Sequence, residues 1–315
     1  MTKGPRLNSE LAETKARYEA LQLSDGGAPK SLAENRAQQA RLLQHWCEGA
    51  PEIAGNVDLI VPTRHGPIGA RLSVPNNAES GPVAIFLHGG GWARGSTANG
   101  EWACQAVAHE AGLRVLSLNY SLAPENPFPT ALDEIQDVMD WCRGPGEALG
   151  IDGSRIVLFG ASAGGNLSLA SALICRDTGK PMPKALGLIY GVFGNDFETE
   201  SYKEFGPGQF GLSLARMKEY FEWYVPTGVD INHPYITPMK ADLKGMPPSW
   251  IGFGALDVLR DDSIGIDERL RAVGVETQFR RYDDLPHGFA TYPRTVARSR
   301  EALSDLAGFL RERAF

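Results

Sequence analysis

Apolar positions along the chain fall into two rhythms. From 7 to 23, Leu7, Leu11, Tyr18 and Leu21 recur at helical spacing among charges, and from 31 to 47 Leu32, Leu42, Leu43 and Trp46 do the same. Ser31 and Glu34 have the spacing of a capping box that starts the second helix, and the stretch from Ser24 to Pro29 connects the two. Residues 56 to 63 and 68 to 74 read as two β segments joined by His65-Gly66-Pro67, an antiparallel hairpin. After them, short apolar runs alternate with helical patterns. The runs are Val83 to Leu87, Leu113 to Leu118, Arg155 to Phe159, Ala185 to Tyr190, Trp250 to Gly254 and Val275 to Tyr282. The helices run to about Ala111, from Thr130 to Trp141, from Asn166 to Cys175 and from about Asp262 to Val273. A closing one is marked by Val296, Leu303, Leu306 and Leu310. This alternation predicts an α/β fold, a mostly parallel central sheet with helices on both faces.

The alternation breaks between Gly191 and Pro247, where one helix, Leu212 to Val225, stands among Gly- and Pro-rich connections. So long an insertion is more often a lid than slack. The expected organisation is a catalytic domain over 51–315 and a helical cap over the strand ends. The cap is built from the N-terminal helices (1–50) and the 191–247 insertion.

Composition narrows the function. At 315 residues, 43% hydrophobic and 22% charged, the chain is an ordinary globular protein large enough for one big core. A formal net charge of −7 with no basic stripe argues against nucleic acid. The start lacks the apolar core of a signal peptide, and no window approaches 18 uninterrupted apolar residues. A cytoplasmic protein with no membrane span is expected. Cys47, Cys104, Cys142 and Cys175 are scattered, without metal-ligand spacing, so they read as reduced and neither a metal nor a cofactor is expected.

The candidate chemistry centres on Gly160-Ala161-Ser162-Ala163-Gly164, between an apolar run and a helical one. This is G-x-S-x-G in strand–turn–helix context. A serine on so tight a turn stands clear of the sheet, beside the positive end of a helix. Alone, the pattern also fits a tight connection with a solvated serine.

A serine attacks only if a base takes its proton. Of six histidines, His287 lies in the loop between the last strand and the closing helix, on the rim where parallel strands end. His45 and His109 fall in helices and His65 in the hairpin. His233 falls in the insertion, within reach of a substrate, and His88 shapes its own turn. Asp257, after the strand Trp250 to Gly254, is placed to orient the His287 ring. Asp261 and Asp262 suit the first turn of the next helix, and Asp283 and Asp284 suit solvent. Gly89-Gly90-Gly91, after Val83 to Leu87, offer backbone donors for a negative oxygen. They fit neither a P-loop nor G-x-G-x-x-G.

The sequence His88-Gly-Gly-Gly-Trp92, Leu122-Ala-Pro-Glu125 with Pro127-Phe-Pro129, Ser162-Ala-Gly-Gly-Asn166, then Asp257 and His287-Gly-Phe289, resembles the bacterial hormone-sensitive-lipase-like branch of the α/β-hydrolases. The resemblance runs from about residue 57 to the end. It implies an α/β-hydrolase fold and carboxylesterase activity on short acyl esters. It implies Ser162 as nucleophile, His287 as base, Asp257 as orienting acid, and oxyanion donors at the amides of Gly90, Gly91 and Ala163. The chain departs from the usual pattern at Ala161, Ser121 and Val258 without losing a catalytic atom. An amidase or formamidase with the same triad, or a silent ligand-binding receptor, are the alternatives; the presence of His287 argues against the receptor. Several members of this branch form homodimers, although the sequence marks no interface. The substrate pocket is open to Trp92, Phe210, Phe221, Trp223 and Tyr224, all of which also suit packing.

Overall fold

The computed structural model describes residues 6–76 and 79–315. Among them eight strands form one sheet: β1 (Gly55–Val61), β2 (Ile68–Val74), β3 (Gly81–Leu87), β4 (Arg114–Leu118), β5 (Ile151–Ala161), β6 (Leu186–Ile189), β7 (Ser249–Leu256) and β8 (Thr277–Pro286). The spatial order is β1-β2-β4-β3-β5-β6-β7-β8. The hairpin β1–β2 and the pair β2–β4 are antiparallel, and every other pair is parallel. The carboxyl ends of β3, β5, β7 and β8 therefore open on one rim.

The helices are α1 (Ser9–Ser24), α2 (Leu32–Cys47), α3 (Glu101–Ala111), α4 (Thr130–Cys142), α5 (Ala163–Asp177), α6 (Glu200–Phe205), α7 (Leu214–Tyr224), α8 (Arg260–Ala272) and α9 (Ala297–Ala314). They cover both faces of the sheet. Val83, Ile85 and Leu87 of β3 join one buried cluster with Leu132, Leu167 and Ile266 of α4, α5 and α8. Ala84 and Phe86 turn the other way, into a second cluster with Val107 of α3 and Leu306 of α9. A strand buried on both faces has no polar side, which is why its sequence reads as an unbroken apolar run.

The clearest differences from the sequence patterns are at α5, β5, α6 and β8, which runs on to Pro286, past the expected end at Tyr282. α5 begins at Ala163, three residues before the Asn166 start, because Gly164 and Gly165 lie inside the helix. β5 begins at Ile151, where Asp152 turns its carboxylate onto Ser154 and Arg155 and so carries a polar start. In the insertion, α7 matches the expected helix within two residues, but α6 went unseen, being too short to show a period.

Polar bonds fasten the two stretches outside the alternating core. Asn8 caps α1 and donates to Asp284 at 2.7 Å, so Asp284 is half-buried rather than solvated. Arg36 of α2 pairs with Glu125 at 2.8 Å and donates to the carbonyls of Ala93 and Ala123, both at 2.7 Å. The first-turn acids of α8 reach across to the insertion. Asp261 accepts from Ser201 N at 2.7 Å, and buried Asp262 accepts from Phe193 N at 2.8 Å and Gly194 N at 2.7 Å.

Burial pushes the Asp262 carboxyl up to about 6, against the pull of its two amide bonds. A folded-state pKa above the unfolded value means that the stabilisation by protonation is complete below about 3.8 and is lost as pH rises through about 6. Asp262→Asn keeps an acceptor but never ionises. Its stability relative to wild type should rise between pH 4 and pH 7, by on the order of 3 kcal/mol at most. Urea unfolding across that range checks this, and a flat difference contradicts it.

Candidate active site

Ser162 sits between the end of β5 and the start of α5 with φ 57° and ψ −118°. A non-glycine residue at positive φ is strained by about 1–3 kcal/mol, so its surroundings must hold it there. They do so from three sides. Ser162 N donates to Ile189 O of β6 at 2.9 Å, Val192 N donates to Ser162 O at 3.3 Å, and Asn166 N donates to the same oxygen at 3.1 Å. The turn is tight enough that a Cβ on Gly164 would lie 1.8 Å from the carbonyl oxygen of Leu87, so only glycine lets α5 approach β3. The side chain of Asn166 donates to Val192 O at 2.8 Å and Ile236 O at 2.9 Å, tying the first turn of α5 to both ends of the insertion.

Three residues distant in sequence meet at this turn. His287 Nε2 is 2.9 Å from Ser162 Oγ, and His287 Nδ1 is 2.7 Å from Asp257 Oδ2. Asp257 is buried, and its other oxygen accepts from Leu259 N at 3.0 Å. One carboxylate oxygen is thus held by backbone while the other is aimed at the ring. With Nδ1–H donating to the carboxylate, the lone pair on Nε2 faces the hydroxyl. The ring of Tyr190 packs 4.8 Å from the imidazole and limits its tilt.

The other histidines stand elsewhere. His65 contacts Asp133, His45 lies beside Arg294, and His109 reaches the carbonyl of Glu52. His233 is spent within the insertion, where its Nδ1 accepts from Tyr235 N and its ring packs on Phe128. Asp283 pairs with Arg281.

The glycine loop lies against the turn. Gly90 and Gly91 have φ of 127° and 61°, and a Cβ on Gly91 would fall 2.3 Å from the Tyr220 ring of α7. Among the described residues, the amides of Gly90 and Gly91 have no protein acceptor. The amide of Ala163, at the first position of α5, likewise has none within its helix. Fixed bonds shape this loop. Arg94 N donates to Gly90 O at 3.0 Å, and the Tyr120 hydroxyl donates to His88 O at 2.8 Å while its ring stacks on the His88 imidazole at 4.1 Å. Burial pushes His88 down to about 4, so it is neutral at ordinary pH and donates from Nδ1 to Gly89 O at 3.0 Å.

Above these groups is a cavity of about 160 Å³. Ser162 and His287 line it together with Phe86, Tyr190, Leu212 and Tyr220. The five aromatics considered from sequence are not among its walls. Trp92 stacks on Tyr224 at 4.4 Å and packs on Phe221, both within the core, and Phe210 and Trp223 also lie off the cavity. Gln39 of α2 and Arg94 after the glycine loop do line it, and no periodicity or motif in the sequence singles them out. No group of three His, Cys, Asp or Glu suited to a metal occurs among the described residues, and the four cysteines are free. No helix of the described residues is long and apolar enough to cross a membrane.

Known proteins resemble the chain in sequence and in shape. A family model described as an alpha/beta hydrolase fold matches residues 84–291. Carboxylesterase NlhH of Mycobacterium tuberculosis is 34% identical over 226 residues, 70% of each chain. The solved structure of a hyperthermophilic esterase from the archaeon Pyrobaculum calidifontis superposes with a TM-score of 0.88 at 30% identity over 98% of each chain. EstE1, a thermostable carboxylesterase from a metagenomic library, gives 0.86 at 31% identity, covering 90% of this chain and 98% of its own. With its rim geometry, sheet order and these relatives in agreement, the chain belongs to the α/β-hydrolase family, in its hormone-sensitive-lipase-like branch.

Proposed function

We propose that the chain is a serine carboxylesterase that hydrolyses small acyl esters through an acyl-enzyme intermediate. The observation that carries this reading is the continuous run of contacts from Ser162 Oγ to His287 Nε2 at 2.9 Å and from His287 Nδ1 to Asp257 at 2.7 Å. It supports Ser162 as nucleophile, His287 as general base and then acid, and Asp257 as the group that fixes the tautomer and stabilises the imidazolium.

In this mechanism the ester carbonyl lies over Ser162. The hydroxyl attacks as its proton passes to Nε2, and a tetrahedral centre forms. Its negative oxygen takes bonds from the amides of Gly90, Gly91 and Ala163, each worth roughly 3 kcal/mol in the transition state because they are already aimed and cost no reorganisation. The imidazolium then protonates the leaving alkoxide, an alcohol departs, and the acyl group stays on Ser162. Water enters, gives its proton to His287 and releases the acid by the same steps in reverse order.

Phe86, Ile189 and Leu212 give the cavity apolar walls for an acyl group. Its walls include Gln39 from the N-terminal helices and Leu212 and Tyr220 from the insertion, which supports reading 1–50 and 191–247 as the cap that shapes specificity. A cap over the strand ends would also exclude bulk water from the acyl-enzyme.

Kinetics with p-nitrophenyl butyrate test the reading. Ser162→Ala should lower kcat by about 10⁶ with the fold intact by circular dichroism. An unchanged rate overturns the proposal. Asp257→Asn keeps the shape but removes the charge that fixes the ring, so kcat should fall by about 10³–10⁴ while KM changes little. A rise confined to KM would show that Asp257 only supports substrate binding.

A further inference from the structure

One wall of the cavity carries a charge that the ester chemistry above does not use. Arg94 lines the cavity, yet its guanidinium bonds only to neutral oxygens: Nη1 donates to Asn35 Oδ1 at 3.0 Å and Nη2 donates to the Tyr220 hydroxyl. Its Nε is buried without an acceptor. Among the described residues no aspartate or glutamate pairs with it, and none lines the cavity. Gln39 lines the same cavity, and its Oε1 is buried without a partner. Rotation about its last side-chain bond lets that amide present its NH₂ instead. On its outer side Arg94 borders a surface groove with Lys30, Arg216 and Glu219, two cations against one acid. All this is set in a chain of formal net charge −7.

A guanidinium used only to clamp loops would be expected to meet a carboxylate, since a part-buried charge facing neutral groups is costly. Arg94 does hold the cap to the glycine loop, through Asn35 of α2 and Tyr220 of α7, and its guanidinium lies 5.3 Å from the Tyr220 ring centre, but no carboxylate meets it among the described residues. Each terminal nitrogen uses one N–H on these partners and keeps a second, and a planar fork with spare N–H donors matches a carboxylate.

We propose that Arg94, assisted by Gln39, is a specificity-determining subsite for a carboxylate carried by the substrate, so that the preferred esters are small and anionic. The inference rests on the esterase reading of the same cavity. A carboxylate on the acyl side (a dicarboxylic acid hemiester) and one on the alcohol side (an acylated hydroxy acid) share this chemistry, and matched substrates separate them.

The acyl-side pair is monomethyl succinate and methyl levulinate, in which a methyl ketone replaces the carboxylate. The alcohol-side pair is 3-acetoxypropanoate and 4-acetoxybutan-2-one. Rates are followed by titrating released acid for wild type, Arg94→Gln and Gln39→Leu. For one pair, the anionic-to-neutral ratio of kcat/KM should fall by roughly tenfold or more in Arg94→Gln, and less in Gln39→Leu. Equal loss on both members of each pair would make Arg94 a clamp only and overturn the proposal.

Binding gives a second readout without turnover. In a Ser162→Ala background, calorimetry should find the corresponding anionic ester bound more tightly than its ketone partner, with the difference lost on Arg94→Gln. If that variant fails to fold, equal binding of the two partners by Ser162→Ala alone still overturns the proposal. Wild type that hydrolyses the neutral esters without any anion preference retains the esterase reading and loses this one; hydrolysis of none of the four, with the anion still bound selectively, does the reverse.

Discussion

The structure depends on a serine held in a backbone conformation that serine avoids. At φ 57° the Ser162 turn stores strain, and it persists because three backbone bonds from β6, the insertion and α5 converge on two of its atoms. Such a turn cannot be built by local preference. It requires β5 and β6 in register, Gly164 pressed against β3, and a helix that starts at the very next residue. The hydroxyl thereby stands at the mouth of a rigid sheet, where a ring from the loop after β8 can meet it. Much of the large two-faced core serves to make that one turn affordable.

Around it, the irregular stretches are held by polar bonds rather than by pattern. The Leu122-Ala-Pro-Glu125 segment provides Glu125 and the Ala123 carbonyl to Arg36, which also holds the Ala93 carbonyl just beyond the glycine loop. Asn166 binds Val192 and Ile236, and Asp262 binds Phe193 and Gly194, so the insertion is anchored at both ends to elements that also carry the rim. The cavity walls supplied by α2 and α7 are consequently coupled to the loop that presents the Gly90 and Gly91 amides. A change in the shape of one should be felt by the other.

The sheet was legible because its buried parallel strands are mostly apolar, Arg114, Ser117 and Ser249 being exceptions, and helical patterns alternate with them. The turn at Ser162 was legible because G-x-S-x-G falls between an apolar run and a helical one, a context the pattern alone does not supply. His287 and Asp257 followed from chain order, since strand ends share one rim, and the coordinates bring both to Ser162. What the sequence hides is whatever is set by side-chain reach across long separations. Asp284 gave no sign of its bond to Asn8, 276 residues away, and Asp262 gave none of its bonds to the insertion. The aromatic residues of α7 suit packing as well as a pocket wall; Phe221 and Tyr224 turn inward to Trp92, and among that helix's aromatics only Tyr220 faces the cavity. Helical periodicity gives a face, but not which neighbour that face will meet.

The central claim is that the Ser162 hydroxyl, activated by His287, is the atom that attacks. A p-nitrophenyl phosphonate ester tests it directly, because its tetrahedral phosphorus mimics the intermediate and stays bonded to the attacking oxygen. Intact-mass and peptide mass spectrometry should find one phosphonyl group per chain, on Ser162, formed in step with loss of esterase activity and greatly slowed by His287→Ala. Full loss of activity with Ser162 unmodified, or labelling that proceeds equally fast without the imidazole, would contradict the account.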